Sequence, residues 1–223
     1  MSTIPILIIN RDRLQTLERM VDTLHLLEYD NIYILDMGST YLPLMEYYRT
    51  CKCNVVYLEN NGYKSLWSTG VIDLFNQYDW IAISDSDLEF NPETPVGFIE
   101  ELIVVAKDFR CDKVGLAIEY LDLTNEYLRD IVVPIEDRYW INRLNHPTHI
   151  VYDAPVDSTF CVIRPTKPFA YTALRVAGQF TCRHIDWYSN WYKLTEEEQY
   201  YFDHTDPSIS TTCAHYNQWR TKH

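Results

Sequence analysis

The chain has 223 residues, 47% of them hydrophobic and 14% aromatic, which is enough to build the core of one α/β domain. Its formal net charge is −13 and its Lys and Arg are not clustered, which excludes a nucleic-acid polymer as partner. No apolar run approaches the roughly 18 residues of a membrane span, and residues 1–10 lack the basic start and small-residue cleavage site of a secretory signal, so a cytoplasmic location is expected.

In chain order, residues 4–10 form a continuous apolar run that reads as a buried strand. Leu14, Leu17, Val21 and Leu24 follow at helical spacing. Residues 32–35 and 55–58 read as two further buried strands, ending in Asp36-Met37-Gly38-Ser39-Thr40 and Asn60-Asn61-Gly62. A helix is expected over residues 64–77. Next comes the strand Trp80-Ile81-Ala82-Ile83-Ser84, which delivers Asp85-Ser86-Asp87 at its end. Two acids at i and i+2 beyond a buried strand can divide labour, one binding a hard cation and the other reaching a sugar hydroxyl. Pro92 and Pro95 open a helix that carries Ile99, Leu102, Ile103 and Ala106 on one face, and residues 114–118 form another strand.

Such alternation predicts a mostly parallel sheet flanked by helices, with its ligand crevice at the carboxyl ends of the strands. The polar clusters at 10–13, 36–40, 60–64 and 85–87 all fall there and should converge on one site. Between residues 120 and 149 the periodicity is weak and Tyr, Trp, Asn and Asp are frequent, as in a segment that lies over a sheet and contacts a ligand. Asp157-Ser158-Thr159-Phe160-Cys161-Val162-Ile163 gives one more strand. His184-Ile185-Asp186-Trp187-Tyr188 gathers a titratable ring, an acid and two aromatics, and Thr195 with Glu198 predicts a capping box on a short helix. The six cysteines are scattered, and the single Cys51-Lys52-Cys53 has no matching second pair, so they read as reduced thiols.

The order of Ile8-Ile9-Asn10-Arg11, Leu35-Asp36-Met37-Gly38-Ser39-Thr40, Asn61-Gly62 with Ser68-Thr69-Gly70, and Asp85-Ser86-Asp87 resembles the nucleotide-binding half of GT-A fold glycosyltransferases, family 2 in particular. Lys113-Val114-Gly115, the segment from Ala154 to Phe160, and His184-Ile185-Asp186-Trp187-Tyr188 are similar to a compact group of GT-A enzymes found in bacteria and large viruses. The resemblance implies a single GT-A (Rossmann-like) α/β domain over residues 1–223, with a central mostly parallel mixed sheet. Residues 1 to about 118 would be its nucleotide-binding half and the rest its acceptor and catalytic half. The implied activity is transfer of a sugar from a nucleotide sugar, uridine-linked, to a hydroxyl of a glycan acceptor, with inversion and with Mn²⁺ or Mg²⁺.

Residue by residue, the resemblance places Asn10, Arg11, Asp36, Asn61, Lys64, Trp67, Asp85 and Ser86 against the nucleotide sugar. Asp36 would accept a hydrogen bond from the base or cap its own turn. Asp85 would meet the ribose or a metal-bound water, and Asp87 would bind the cation that bridges the phosphates. His184 would complete the metal shell, hold the diphosphate, or sit hydrogen-bonded beneath the adjacent aromatics. This chain has Leu66-Trp67-Ser68 where many family 2 enzymes carry Ala-Arg-Asn, so Trp67 would pack beneath the nucleotide and Lys64 would supply the missing cation or remain solvated.

An inverting transfer needs a carboxylate facing the donor sugar to take the acceptor's proton. Asp157 is the choice, with capping of the Ser158-Thr159 turn as its alternative role, and Asp153 is the reserve. Two other classes fit parts of the sequence. A sugar nucleotidyltransferase would share the carboxylates and metal but ordinarily shows a Gly-rich basic loop, which Ile9-Asn10-Arg11-Asp12 is not. A non-catalytic carbohydrate-binding module would use the 18 Tyr and 6 Trp for stacking on sugars, a use that an aromatic core matches equally well.

Overall fold

The computed structural model describes residues 3–59, 65–167 and 172–222. The expected strands are present, β1 (Ile6–Asn10), β2 (Ile32–Asp36), β3 (Asn54–Tyr57), β4 (Ile81–Asp85) and β6 (Lys113–Ile118), but β3 lies at the sheet edge and is partly exposed rather than buried. β1, β2, β4 and β6 are rich in branched apolar residues and are buried nearly throughout, as strands covered on both faces require. In the single mixed sheet the order is β3-β2-β1-β4, all parallel, followed by β9 (Cys161–Ile163), which runs antiparallel between β4 and β6. Next to β6 lies β10 (Leu174–His184), then β8 (Ile150–Asp153) and β7 (Arg143–Leu144), while the short β5 (Leu88–Phe90) pairs with the far end of β10.

Helices cover both faces. On one, α1 (Gln15–Leu26) buries Leu17, Met20, Val21 and Leu24, and α4 (Phe98–Asp108) buries Phe98, Ile99, Leu102, Ile103, Val105 and Ala106. The other face is covered near β4 by α3 (Ser65–Ser68) and a 3-10 turn at Ile72–Phe75. The single helix expected over 64–77 is therefore interrupted. Gly70, at φ 74°, turns the chain in a left-handed conformation that a continuing helix cannot adopt.

Among the described residues four more helices complete the fold, of which one was expected from the sequence. Between β2 and β3 runs α2 (Leu42–Thr50). α5 (Glu126–Glu136) starts where Asn125 caps Leu128 N and continues through Pro134, inside the stretch expected to be irregular. The chain ends on α6 (Glu196–His204), which carries the expected Thr195–Glu198 capping box, and α7 (Thr211–Arg220). These last two pack with α5 in an aromatic cluster around Trp191, Phe202, Tyr216 and Trp219. Among the described residues no helix is long and apolar enough to cross a membrane.

β10 is the largest departure from expectation. No strand is expected over residues 174–184 from the sequence, whereas they form one long strand of the sheet. Its register against β6 slips between Val176 and Thr181, around Gly178 at φ 77°. The bulge lets β10 pair with β8 before it and β5 after it.

Candidate active site

The parallel strands deliver their polar ends to one cleft of about 480 Å³, and its wall includes Arg11, Arg13, Asp85, Ser86, Asp87, Asp157, Arg175 and His184. Asp85 is the last residue of β4, and Ser86 and Asp87 form the turn into β5. Because β5 pairs antiparallel with the end of β10, Leu88 stands opposite His184, and Ile185 N donates to Asp87 O at 2.8 Å. Strand register therefore places the His184 ring beside Asp87 across almost a hundred residues of sequence.

His184 Nδ1 lies 3.1 Å from Asp87 Oδ2, and one ligand atom from each of Asp85, Asp87 and His184 falls within 4.8 Å of the others. Among the described residues this is the one group of three such side chains. The ring stacks on Trp187, with centroids 4.9 Å apart and planes 4° from parallel. Burial, the largest influence, pulls the imidazole down, but Asp87, Asp186, Asp85 and Asp157 outweigh it and leave its pKa above the ordinary histidine value. Asp85 is pushed up to about 7, by burial first and then by Asp87 and Asp157.

This arrangement fits a divalent cation. His184 Nδ1 is buried without a hydrogen bond despite its closeness to Asp87, and the carboxylates crowd one another. Two hard oxygen donors and one imidazole are a donor set that Mn²⁺ or Mg²⁺ accepts.

The loop before β9 docks on the end of β4: Asp85 N donates to Ser158 O at 3.0 Å and Ser158 Oγ to Asp85 Oδ2 at 2.9 Å. Asp157 is thereby held next to Asp85. Its Oδ1 accepts from Thr159 N and Oγ1, at 3.1 and 3.0 Å, so it caps this turn, and it also stands exposed on the cleft wall. The buried Lys113 ammonium, on β6, holds the same loop through the carbonyls of Val156 and Asp157. The reserve, Asp153, is displaced from the cleft: it ends β8, where its carboxylate accepts from Asn142 at 3.0 Å.

Asn10 and Asp36 lie beneath the strand ends. Asn10 donates to Tyr48 OH at 2.8 Å, Tyr48 donates to Asp36 Oδ1 at 3.0 Å, and Asp36 Oδ2 caps Ser39 N at 3.1 Å. Both are almost fully buried. Arg11 reaches from the end of β1 to Met37 O and, at 2.8 Å, to His204 O on α6. Trp67 faces a smaller cavity shared with Lys113, Asp157 and Ser158. Asn61 and Lys64 lie outside the described residues.

Arg175 and Glu136 carried no sequence signal, and Arg13 and Asp186 only that of the polar clusters they belong to. Arg13 is buried in an ion pair with Asp186 and lies 3.6 Å over the Tyr201 ring, which fastens α6 to the turn after β1. Arg175 pairs with Glu136 of α5 at 2.6 Å and donates to Pro155 O at 2.8 Å.

No protein-family model and no curated protein matches the sequence. Solved structures match its fold. GalNAc-T7, in a crystal structure with UDP, GalNAc and Mn²⁺, superposes with a TM-score of 0.51 at 12% identity, over 82% of this chain and 43% of that one. The chain has a GT-A fold. S. aureus TarS 1-349 aligns at TM-score 0.42 and 9% identity, over 74% of this chain and 47% of its own. HddC from Yersinia pseudotuberculosis complexed with GMP-PN aligns at 0.44 and 11%, over 77% and 83%. This GT-A fold thus spans less than half the length of the GalNAc-T7 and TarS chains it matches.

Proposed function

We propose that the chain is a metal-dependent glycosyltransferase of the hexosyl type, which moves a sugar from a UDP-linked donor to a hydroxyl of a glycan acceptor with inversion. The observation that carries this reading is the convergence of Asp85, Asp87 and His184 at the end of β4, with Asp157 beside them on the same cleft. GalNAc-T7, the fold relative crystallised with UDP and Mn²⁺, supports the choice of donor and ion.

Asp87 and His184 would hold the cation, with Asp85 completing the set or meeting the ribose. Bound there, Mn²⁺ or Mg²⁺ offsets the charge that develops on the departing nucleoside diphosphate. Asp157 would take the proton from the acceptor hydroxyl as that oxygen bonds to the anomeric carbon and the bond to the diphosphate breaks. Thr159 and Lys113 fix the turn, so the base is preorganised rather than recruited. Arg11 and Ser86 would line the donor end, above the buried Asn10–Tyr48–Asp36 network that would set the shape of the nucleoside pocket, and Asn61, Lys64 and Trp67 would complete it.

Thermal unfolding with UDP and Mn²⁺ tests the reading. At a hundredfold excess over Kd the expected stabilisation is about 2.7 kcal/mol, or roughly 5–10 °C for a chain of this size. Neither ligand should achieve this alone. A flat response to every nucleotide, with and without metal, would remove the proposal.

A further inference from the structure

The strand ends supply this cleft chiefly with carboxylates, and two of its arginines are already neutralised, Arg13 by Asp186 and Arg175 by Glu136. A diphosphate bound there with one divalent cation keeps negative charge that needs further donors. The C-terminal helices carry them. Ser210, Thr211 and Thr212 line the cleft where α7 begins. Ser210 Oγ caps Cys213 N at 3.2 Å, which leaves the Thr211 and Thr212 amides without a hydrogen bond among the described residues.

A second observation is independent of the helix end. Thr205, where α6 stops, lines the same cleft and is 6% exposed, yet its Oγ1 is buried with no hydrogen-bond partner. Arg13, 4% exposed on the same wall, has its Nε in the same condition. Buried polar atoms are almost always satisfied, so two orphans on the cleft wall that also carries two open amides mark a place where an acceptor belongs. The segment is held in position: Arg11 donates to His204 O, and the Thr40 and Tyr200 hydroxyls are 2.9 Å apart.

We propose that the N-terminus of α7, with Thr205 and Arg13, is an anion subsite that takes the diphosphate of the donor. The amide donors and the positive end of the helix dipole suit phosphate oxygens. The identity of the ligand as a nucleotide diphosphate rests on the glycosyltransferase reading, whereas the anion chemistry rests on these atoms alone.

Two variants of the full chain test it by calorimetric titration. Thr205→Val removes the hydroxyl and keeps the β-branched shape. Thr211→Pro removes one amide at the first helical position, where proline is well tolerated and its fixed φ suits the helix. Unchanged unfolding midpoints would confirm that both variants fold. In the presence of Mn²⁺, each should weaken binding of inorganic pyrophosphate and of UDP by at least about tenfold, the scale of a hydrogen bond to a charged group, and leave uridine binding unchanged. Parental affinity for both anions in both variants would overturn the subsite and leave the donor assignment standing. If pyrophosphate binds and weakens in the variants while no nucleotide binds the parent, the subsite stands and the nucleotide reading falls. Failure of the parent chain to bind either anion overturns both.

Discussion

A methyl group at Gly115 should disable catalysis without touching a polar atom of the site. Gly115 lies in β6, and a Cβ there would stand 2.8 Å from Val156 Cγ1, 2.9 Å from Phe160 O and 3.1 Å from Cys161 Cβ. Carbon atoms settle at about 3.5–4.0 Å, so the turn from Val156 to Phe160 would have to retreat by nearly 1 Å. It is pinned, because Leu116 N bonds Phe160 O at 2.9 Å, Lys113 holds two carbonyls, and Asp85 N bonds Ser158 O. Overpacking of this kind costs about 1–3 kcal/mol, which lowers the unfolding midpoint of a chain this size by roughly 2–12 °C. The displaced turn carries Asp157, and a misplacement near 1 Å is worth about a hundredfold in rate. Gly115→Ala should therefore bind UDP and Mn²⁺ within about threefold of the parent, unfold earlier, and transfer sugar about a hundredfold more slowly. Differential scanning fluorimetry, calorimetry and a donor-turnover assay measure the three quantities. A parental midpoint with parental turnover would refute the packing argument, and an equal loss of binding and turnover would refute the assignment of the turn to catalysis.

Three other outcomes follow from the site and its surroundings. Asp87→Ala should abolish Mn²⁺-dependent UDP binding while the chain stays folded, since a carboxylate in a strand-end turn adds little to the core; calorimetry showing parental affinity would contradict the metal assignment. Asp157→Asn should keep donor binding and reduce turnover by about two to four orders of magnitude, the usual scale for removing a general base, and a parental rate would mean another group takes the proton. Burial lowers the pKa of His149 in the folded chain, so below the unfolded value of about 6.5 the unfolded chain binds the extra proton first and stability falls as pH drops toward the lowered folded value. Comparing unfolding midpoints at pH 7.5 and 5.5, His149→Gln should show a smaller acid loss than the parent, and an equal loss would refute the assignment.

The strand ends were legible because period and burial coincide there. Runs such as Ile6-Leu7-Ile8-Ile9 have no polar face, so they can only lie inside a covered sheet, and the polar residues that end them mark its carboxyl edge. Asp85, Ser86 and Asp87 could be placed by that logic alone. Asp36 could be placed but its role could not, since the same carboxylate that suits a base also suits the Ser39 cap and the Tyr48 hydroxyl it accepts here. α5 was illegible for a local reason: Pro134 sits inside it and Asn125 caps it, and in sequence both residues announce a loop.

His184 shows what strand register adds to a sequence pattern. Nothing in its neighbours says that it belongs to a strand, because β10 is broken by the Gly178 bulge and reads as two unrelated fragments. Once β5 and β10 pair, the backbone at His184 is fixed beside Asp87: Leu88 stands opposite, Ile185 N bonds Asp87 O, and the Trp187 ring stacks on the imidazole. On the proposed reading, the imidazole that would hold the cation sits on a core strand, so binding the ion would not have to order a mobile segment. Outside the sheet, α6 is fastened to the β1 and β2 ends by Arg11, by Arg13 over the Tyr201 ring, and by Thr40. On the proposed reading, the sheet would therefore set affinity for the cation, while the contacts of α6 with the strand ends would tie the C-terminal helices to the same cleft.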